Sequence, residues 1–261
     1  MVRPSKEKET SENDAESEEL MADKIPDQKI LLLDIEWKPT IAYVWQPWQE
    51  NITPEKIKEH GGLLCVGAKW LGEKEVHLFS EWEHGHKGML EKIHEMISYA
   101  DAVVTYNGDK FDNKKLEGEF LLNDLPPPPV VTSIDCLKAV KKFGFFMNRL
   151  AFIGPFLGLG AKIEHEGMAL WIKVMDGDES AQKRMTKYCI QDVKLLEKLY
   201  LKIRPYIRNH PHMGKVGAHE CGACGSTHVQ SRGTRRTRAY KIQRLQCQTC
   251  GSWQDGTRKK V

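Results

Sequence analysis

The stretch Leu31-Leu32-Leu33-Asp34-Ile35-Glu36-Trp37 constrains the fold more than any other. Its apolar run reads as a buried strand, and its two acids stand two residues apart. Residues i and i+2 of a strand share a face, so Asp34 and Glu36 would lie side by side at the strand's end. Like charges that close repel one another and resist desolvation. A cation should sit between them. The plainer alternative is an exposed edge strand with ordinary surface acids.

The chain has 261 residues, 40% hydrophobic and 29% charged, enough for one large domain and a small one with a real core. No apolar run approaches the roughly 20 residues of a membrane helix, which argues against a membrane protein. Residues 1–26 read as a disordered acidic tail with no secretory signal. The expected compartment is the cytoplasm, or a host cytoplasm for a viral source.

The net charge of +3 hides an asymmetry. From Leu201 onward the only acids are Glu220 and Asp255, against thirteen Lys and Arg residues. A basic end this one-sided suggests a polyanion partner, with nucleic acid favoured; solubilising charge is the alternative.

Strands are expected at Leu63–Trp70 and Glu75–Phe79, joined by a Leu-Gly-Glu-Lys turn. Met89, Leu90, Ile93, Met96 and Ile97 fall at helical spacing. A short strand, Ala102–Thr105, leads through a turn into a helix over 110–122 that the Pro126–Pro129 run terminates. Two short helices are expected over 134–143 and 148–160, then a long amphipathic one over 180–203. Met185, Cys189, Val193, Leu196 and Leu199 mark its buried stripe. Strands first and then alternating helix and strand indicate an α/β fold, a mixed sheet flanked by helices. The expected domains are 27–208, a linker over 209–218, and a cysteine-rich unit over 219–261.

A two-metal site needs about four carboxylates converging on ions roughly 3.5–4 Å apart. Asp109 and Asp112 follow the strand ending at Thr105. Asp112 opens the next helix beside Phe111, whereas Asp109 in Asn-Gly-Asp fits plain turn chemistry. Asp112 is therefore taken as the ligand. Tyr188 and Asp192 are i and i+4 on the long helix and share a face. Taken alone, they read more readily as a surface Tyr and a surface Asp. Trp37, Tyr43, Trp45 and Trp48 could stack on bases of a frayed strand or simply pack an extra hairpin.

Leu31–Trp37, Val104–Asp112 and Tyr188–Asp192, in that order, resemble the D-x-E, N-x-x-x-F-D and Y-x-x-x-D motifs of the DEDD superfamily of 3′–5′ exonucleases. The Tyr is similar to that of the DEDDy branch, shared with proofreading domains of family B DNA polymerases, and the surrounding text resembles stand-alone phage and bacterial exonucleases. The resemblance covers about residues 29–206. It implies a ribonuclease H-like fold and a metal-dependent 3′–5′ exonuclease, with DNA the favoured substrate.

By that resemblance, Asp34 would bridge two Mg²⁺ or Mn²⁺ ions, Glu36 and Asp192 would complete the ion holding the nucleophile water, and Asp112 would serve the second. Tyr188 would orient the water. Asn107 would contact the strand near its 3′ end, with Phe111 on the same substrate side. Lys162 resembles a basic residue beside the scissile phosphate, although His165 replaces the apolar residue of that motif; a solvated helix-end Lys is the alternative. Rival readings are an endonuclease on the same fold and a catalytically silent nucleic-acid-binding protein. The reading leaves room for a replication or recombination protein as a further partner.

Cys65, Cys136 and Cys189 sit singly in apolar segments and read as core residues. Cys221 with Cys224 and Cys247 with Cys250 form two C-x-x-C pairs, each followed by Gly. The gap between them leaves room for a hairpin. Four thiolates favour one tetrahedral, structural Zn²⁺; disulfides and an iron–sulfur cluster are the alternatives. The intervening segment resembles transposase-type zinc ribbons. Arg235, Arg236, Arg238, Lys241 and Arg244 are expected to lack acidic partners and to contact phosphates; a purely structural or protein-binding ribbon is the alternative.

Overall fold

The computed structural model describes residues 28–48, 51–208, 210–214 and 219–261; the proposed acidic tail lies outside them. The large unit is built on a five-stranded sheet. Its strands are β1 (Ile30–Trp37), β4 (Leu63–Trp70), β5 (His77–Ser80), β6 (Ala102–Thr105) and β7 (Thr132–Asp135). Their spatial order is β5-β4-β1-β6-β7. β4 runs antiparallel to both β1 and β5, whereas β1, β6 and β7 are parallel. A two-stranded arm, β2 (Ile41–Ala42) with β3 (Ile57–Glu59), follows β1.

Alternation along β1 sorts its side chains between two layers. Leu31, Leu33 and Ile35 pack with Met89, Leu90, Ile93 and Ile97 of α1 (Glu81–Ser98) and with Leu116 and Phe120 of α2 (Asp112–Leu122). Ile30 and Leu32 face the opposite layer, made by α3 (Cys136–Lys141), α4 (Leu150–Phe156) and α6 (Glu179–Ile203). Asp34 and Glu36 continue that second series. They therefore emerge on the side where α6 lies.

Several boundaries differ from the sequence reading. Ile134 and Asp135 belong to β7, not to the following helix; the Asp135 carboxylate accepts a hydrogen bond from Leu137 N and caps α3, and a capping residue is itself extended. Helix α1 begins at Glu81, earlier than the apolar spacing suggested, because Gly85 (φ 68°) breaks its first turn from the periodic remainder. Helix α5 (Met168–Met175) was not anticipated.

α6 packs closely on β4 because residue 67 has no side chain. A Cβ there would lie 2.8 Å from Val193 Cγ2 and 2.9 Å from Cys189 Sγ. Gly67→Ala is expected to destabilise the protein by about 1–3 kcal/mol, the usual cost of overpacking. Chemical denaturation would measure it.

The C-terminal unit is a three-stranded antiparallel sheet, β8 (Val229–Arg236), β9 (Tyr240–Cys247) and β10 (Trp253–Lys260), with β9 central. A third strand thus joins the expected hairpin. Met213 N donates to Gly222 O at 2.8 Å, while the Met213 side chain is buried in the α6-side core.

Candidate active site

β1 outruns its parallel neighbour. Pairing with β6 stops at Leu32–Val104 while β1 continues to Trp37. Beyond that point Ile35 N donates to Asp112 Oδ1 at 3.2 Å, so a side chain replaces a strand. Asp112 opens α2 and is buried. Asp34 lies opposite Gly67 and Glu36 opposite Cys65 on β4, which leaves room beneath them for α6.

α6 brings Asp192 into that space. Ligand oxygens of Asp34, Glu36 and Asp192 lie within 4.8 Å of one another. Asp112 stands just outside that trio, near enough for its charge to act on Asp34. Burial first, then Glu36, Asp112 and Asp192, pushes the Asp34 carboxyl well above the usual carboxylate range. Burial and Asp192 raise Glu36 to about 8. Burial lifts Asp112 to about 6 against the hydrogen bonds that hold its charged form. Such acids ionise readily only beside added positive charge.

Part of that charge comes from Lys162. Its Nζ donates to Asp192 Oδ2 at 2.5 Å and to Tyr188 Oη at 3.2 Å. Burial alone would lower the ammonium, but Asp192 and Asp34 hold it above its usual range. Lys162 lies on the irregular segment after α4, not at a helix end. The Tyr188 phenol, raised by burial and by Asp192, stays protonated. The His165 ring packs edge-on against Tyr188 and Trp171, at centroid separations of 4.8 and 5.0 Å. This explains a His where an apolar residue was expected, and it was not legible from spacing.

The turn between β6 and α2 is held from β7. Asn107 adopts φ 72°, and its N–H donates to Asp135 Oδ1 at 2.8 Å. Asp135 was overlooked because its pairing crosses from one strand to the next. Asp109 bonds Ser133, Lys138 and Asn113, the behaviour of a turn residue. Phe111 is partly exposed at the start of α2. On the arm, Tyr43, Trp45 and Trp48 are 68%, 96% and 87% exposed, so they do not pack the hairpin. Trp37 does pack, beneath Lys115 Nζ, 4.1 Å from the ring centroid.

In the small unit, Cys221, Cys224, Cys247 and Cys250 bring their sulfurs within 4.8 Å of one another. The Cys221–Cys250 and Cys224–Cys247 separations are 3.6 and 3.7 Å. Those are too long for a disulfide and close to the edge of a tetrahedron with metal–sulfur bonds of about 2.3 Å. Gly225 and Gly251, at φ 75° and 77°, close the two knuckles. The expectation that the ribbon arginines lack acids fails for Arg235, whose Nε and Nη2 bind Asp255 at 3.1 and 2.7 Å. The partner comes from β10, folded back beside β8.

The sheet order, the helices on both faces and the carboxylates at the strand ends define a mixed α/β protein of ribonuclease H-like architecture. Residues 57–204 match the family described as the RNase_H superfamily, more than half of the chain, and the chain belongs to it. That match begins after Asp34 and Glu36. A family B DNA polymerase from the hyperthermophilic archaeon Pyrobaculum calidifontis is similar in fold, with a TM-score of 0.52 and 14% identity over 69% of this chain. The chain spans 25% of that polymerase's length. No curated protein matches it. Family and fold support a nuclease acting on nucleic acid. No helix among the described residues is long and apolar enough to cross a membrane.

Proposed function

We propose that the chain is a divalent-metal-dependent 3′–5′ exonuclease, with DNA the favoured substrate and a zinc ribbon that holds nucleic acid. The observation that carries this reading is the meeting of Asp34, Glu36 and Asp192 within 4.8 Å, with Asp112 tied to the same strand. Asp192 Oδ1 is buried without a hydrogen-bond partner, as a ligand atom would be. An all-carboxylate donor set suits two Mg²⁺ or Mn²⁺ ions.

When bound, those ions would supply the charge that draws in the phosphate, activates water and stabilises the departing 3′ oxygen. The chain's own residues do the rest. Asp34, Glu36, Asp192 and Asp112 would hold the ions. Tyr188 Oη, protonated, donates a hydrogen bond that orients the attacking water. Lys162 Nζ offsets charge gathering on the phosphoryl oxygens. Asn107 and Phe111 hold the strand's terminus, and the exposed Tyr43, Trp45 and Trp48 offer faces on which frayed bases stack.

The test is digestion of 5′-end-labelled DNA and RNA strands with Mg²⁺ by wild-type protein and by an Asp34→Ala, Asp192→Ala double variant. A ladder shortening from the 3′ end, absent with the variant, is expected. Internal cuts would indicate an endonuclease. Identical digestion by the variant would place the activity elsewhere.

A further inference from the structure

The ribbon divides its basic residues between its two faces. Cross-strand partners in an antiparallel sheet point to the same side. On one side, Arg235 and Arg258 flank the buried Ile242 and share Asp255, at 2.7 and 3.6 Å. Arg244 lies opposite Asp255 and stacks on Trp253, 4.5 Å from the ring centroid. These three cations already have partners within the sheet.

The other side differs. Lys241 on the central strand pairs with Arg236 on β8 and with Lys259 on β10. All three are exposed, and none has an acidic partner in the described structure. The neighbouring positions on that face, Thr234, Gln243 and Thr257, are neutral, and Thr257 bonds Gln243. Three like charges thus lie on adjacent strands, about 5 Å apart from strand to strand. Directly opposed like charges destabilise a sheet. An anion lying across such a row would offset that repulsion.

We infer that the row Arg236–Lys241–Lys259 is the ribbon's contact for a nucleic-acid backbone, and that Arg235, Arg244 and Arg258 are structural. A polyanion crossing the strands would present successive phosphates to the three cations. The neutral Thr and Gln residues beside them leave its path free of repulsion. This inference rests on the reading of the ribbon as a nucleic-acid holder, but not on the chemistry of the carboxylate pocket.

The test uses full-length protein carrying Asp34→Asn, so that probes survive, in buffer without chelator. Anisotropy of labelled single-stranded DNA and RNA is measured across a salt series. The Arg236→Gln, Lys241→Gln, Lys259→Gln triple variant is compared with an Arg244→Gln, Arg258→Gln control. Each phosphate contact on a single strand contributes about 0.7 to the salt slope, so the triple variant should lower it by about 2. The control should leave it unchanged. Folding is checked independently: removing the repulsion should leave the triple variant's bound zinc and melting temperature at least as high as those of its parent. A slope lowered by the control and not by the triple variant would overturn the face assigned here while leaving the ribbon a nucleic-acid binder. A slope changed by neither would overturn both readings of the ribbon.

Discussion

Asp34→Asn should abolish metal-dependent hydrolysis and, in the same protein, raise the stability of the metal-free fold. The two signs come from one arrangement. Asp34 sits among Glu36, Asp112 and Asp192, and burial with those neighbours disfavours its charged form. Replacing it by a neutral residue of the same shape relieves repulsion, so the melting temperature without metal should rise. The same change removes one of the carboxylates that would hold the metal. Ions at such sites supply several kcal/mol of transition-state stabilisation, so a loss of about 10³-fold or more, roughly 4 kcal/mol, is expected. Paired measurements of turnover and of melting with and without Mg²⁺ would check it. Mg²⁺ should stabilise the wild type more than the variant. A variant both inactive and less stable would point to a structural role for Asp34.

Removing the zinc proposed for the four-cysteine cluster should unfold the C-terminal unit outright. The cysteine cluster packs Cys221, Ala223 and Cys247 with Val229, Cys224 and Cys250, and beyond it the unit buries only Ile242 and Leu245 among its large apolar side chains. Little apolar area is available there without the thiolates. A bound structural zinc contributes apparent free energies of about 10–16 kcal/mol in small metal-folded peptides, far more than this cluster could gain by burial alone. Cys247→Ser should therefore lose the zinc and the hydrogen-exchange protection of residues 229–260. Nucleic-acid affinity should fall with them. The five-stranded sheet should persist, because its core is separate from the cysteine cluster. Metal analysis together with hydrogen exchange would check the prediction. Retained protection in a zinc-free variant would contradict it.

What could be read in the sequence was what is periodic or local. Alternation along β1 places Asp34 and Glu36 on one side of the sheet, and the stripe through Met185, Cys189 and Val193 turns Asp192 toward it. The knuckle cysteines stand close in sequence. Hidden features depend on pairs brought together by folding. Arg235 meets Asp255 only because β8 and β10 flank β9. Asn107 is held by Asp135 across two parallel strands. Lys162 approaches Asp192 along a segment with no periodicity. Helix α5 was missed because its eight residues, Met168–Met175, are apolar nearly throughout and show little alternation.

Met213 serves two units at once, through its side chain in the large core and its amide on the first cysteine knuckle. This seat ties the position of the first cysteine knuckle to the core beneath α6. On the proposed function, the molecule would work as a caliper. A strand too short to reach from one proposed point of contact to the other would gain nothing from the second, and a longer one would be held at two places as its end is consumed.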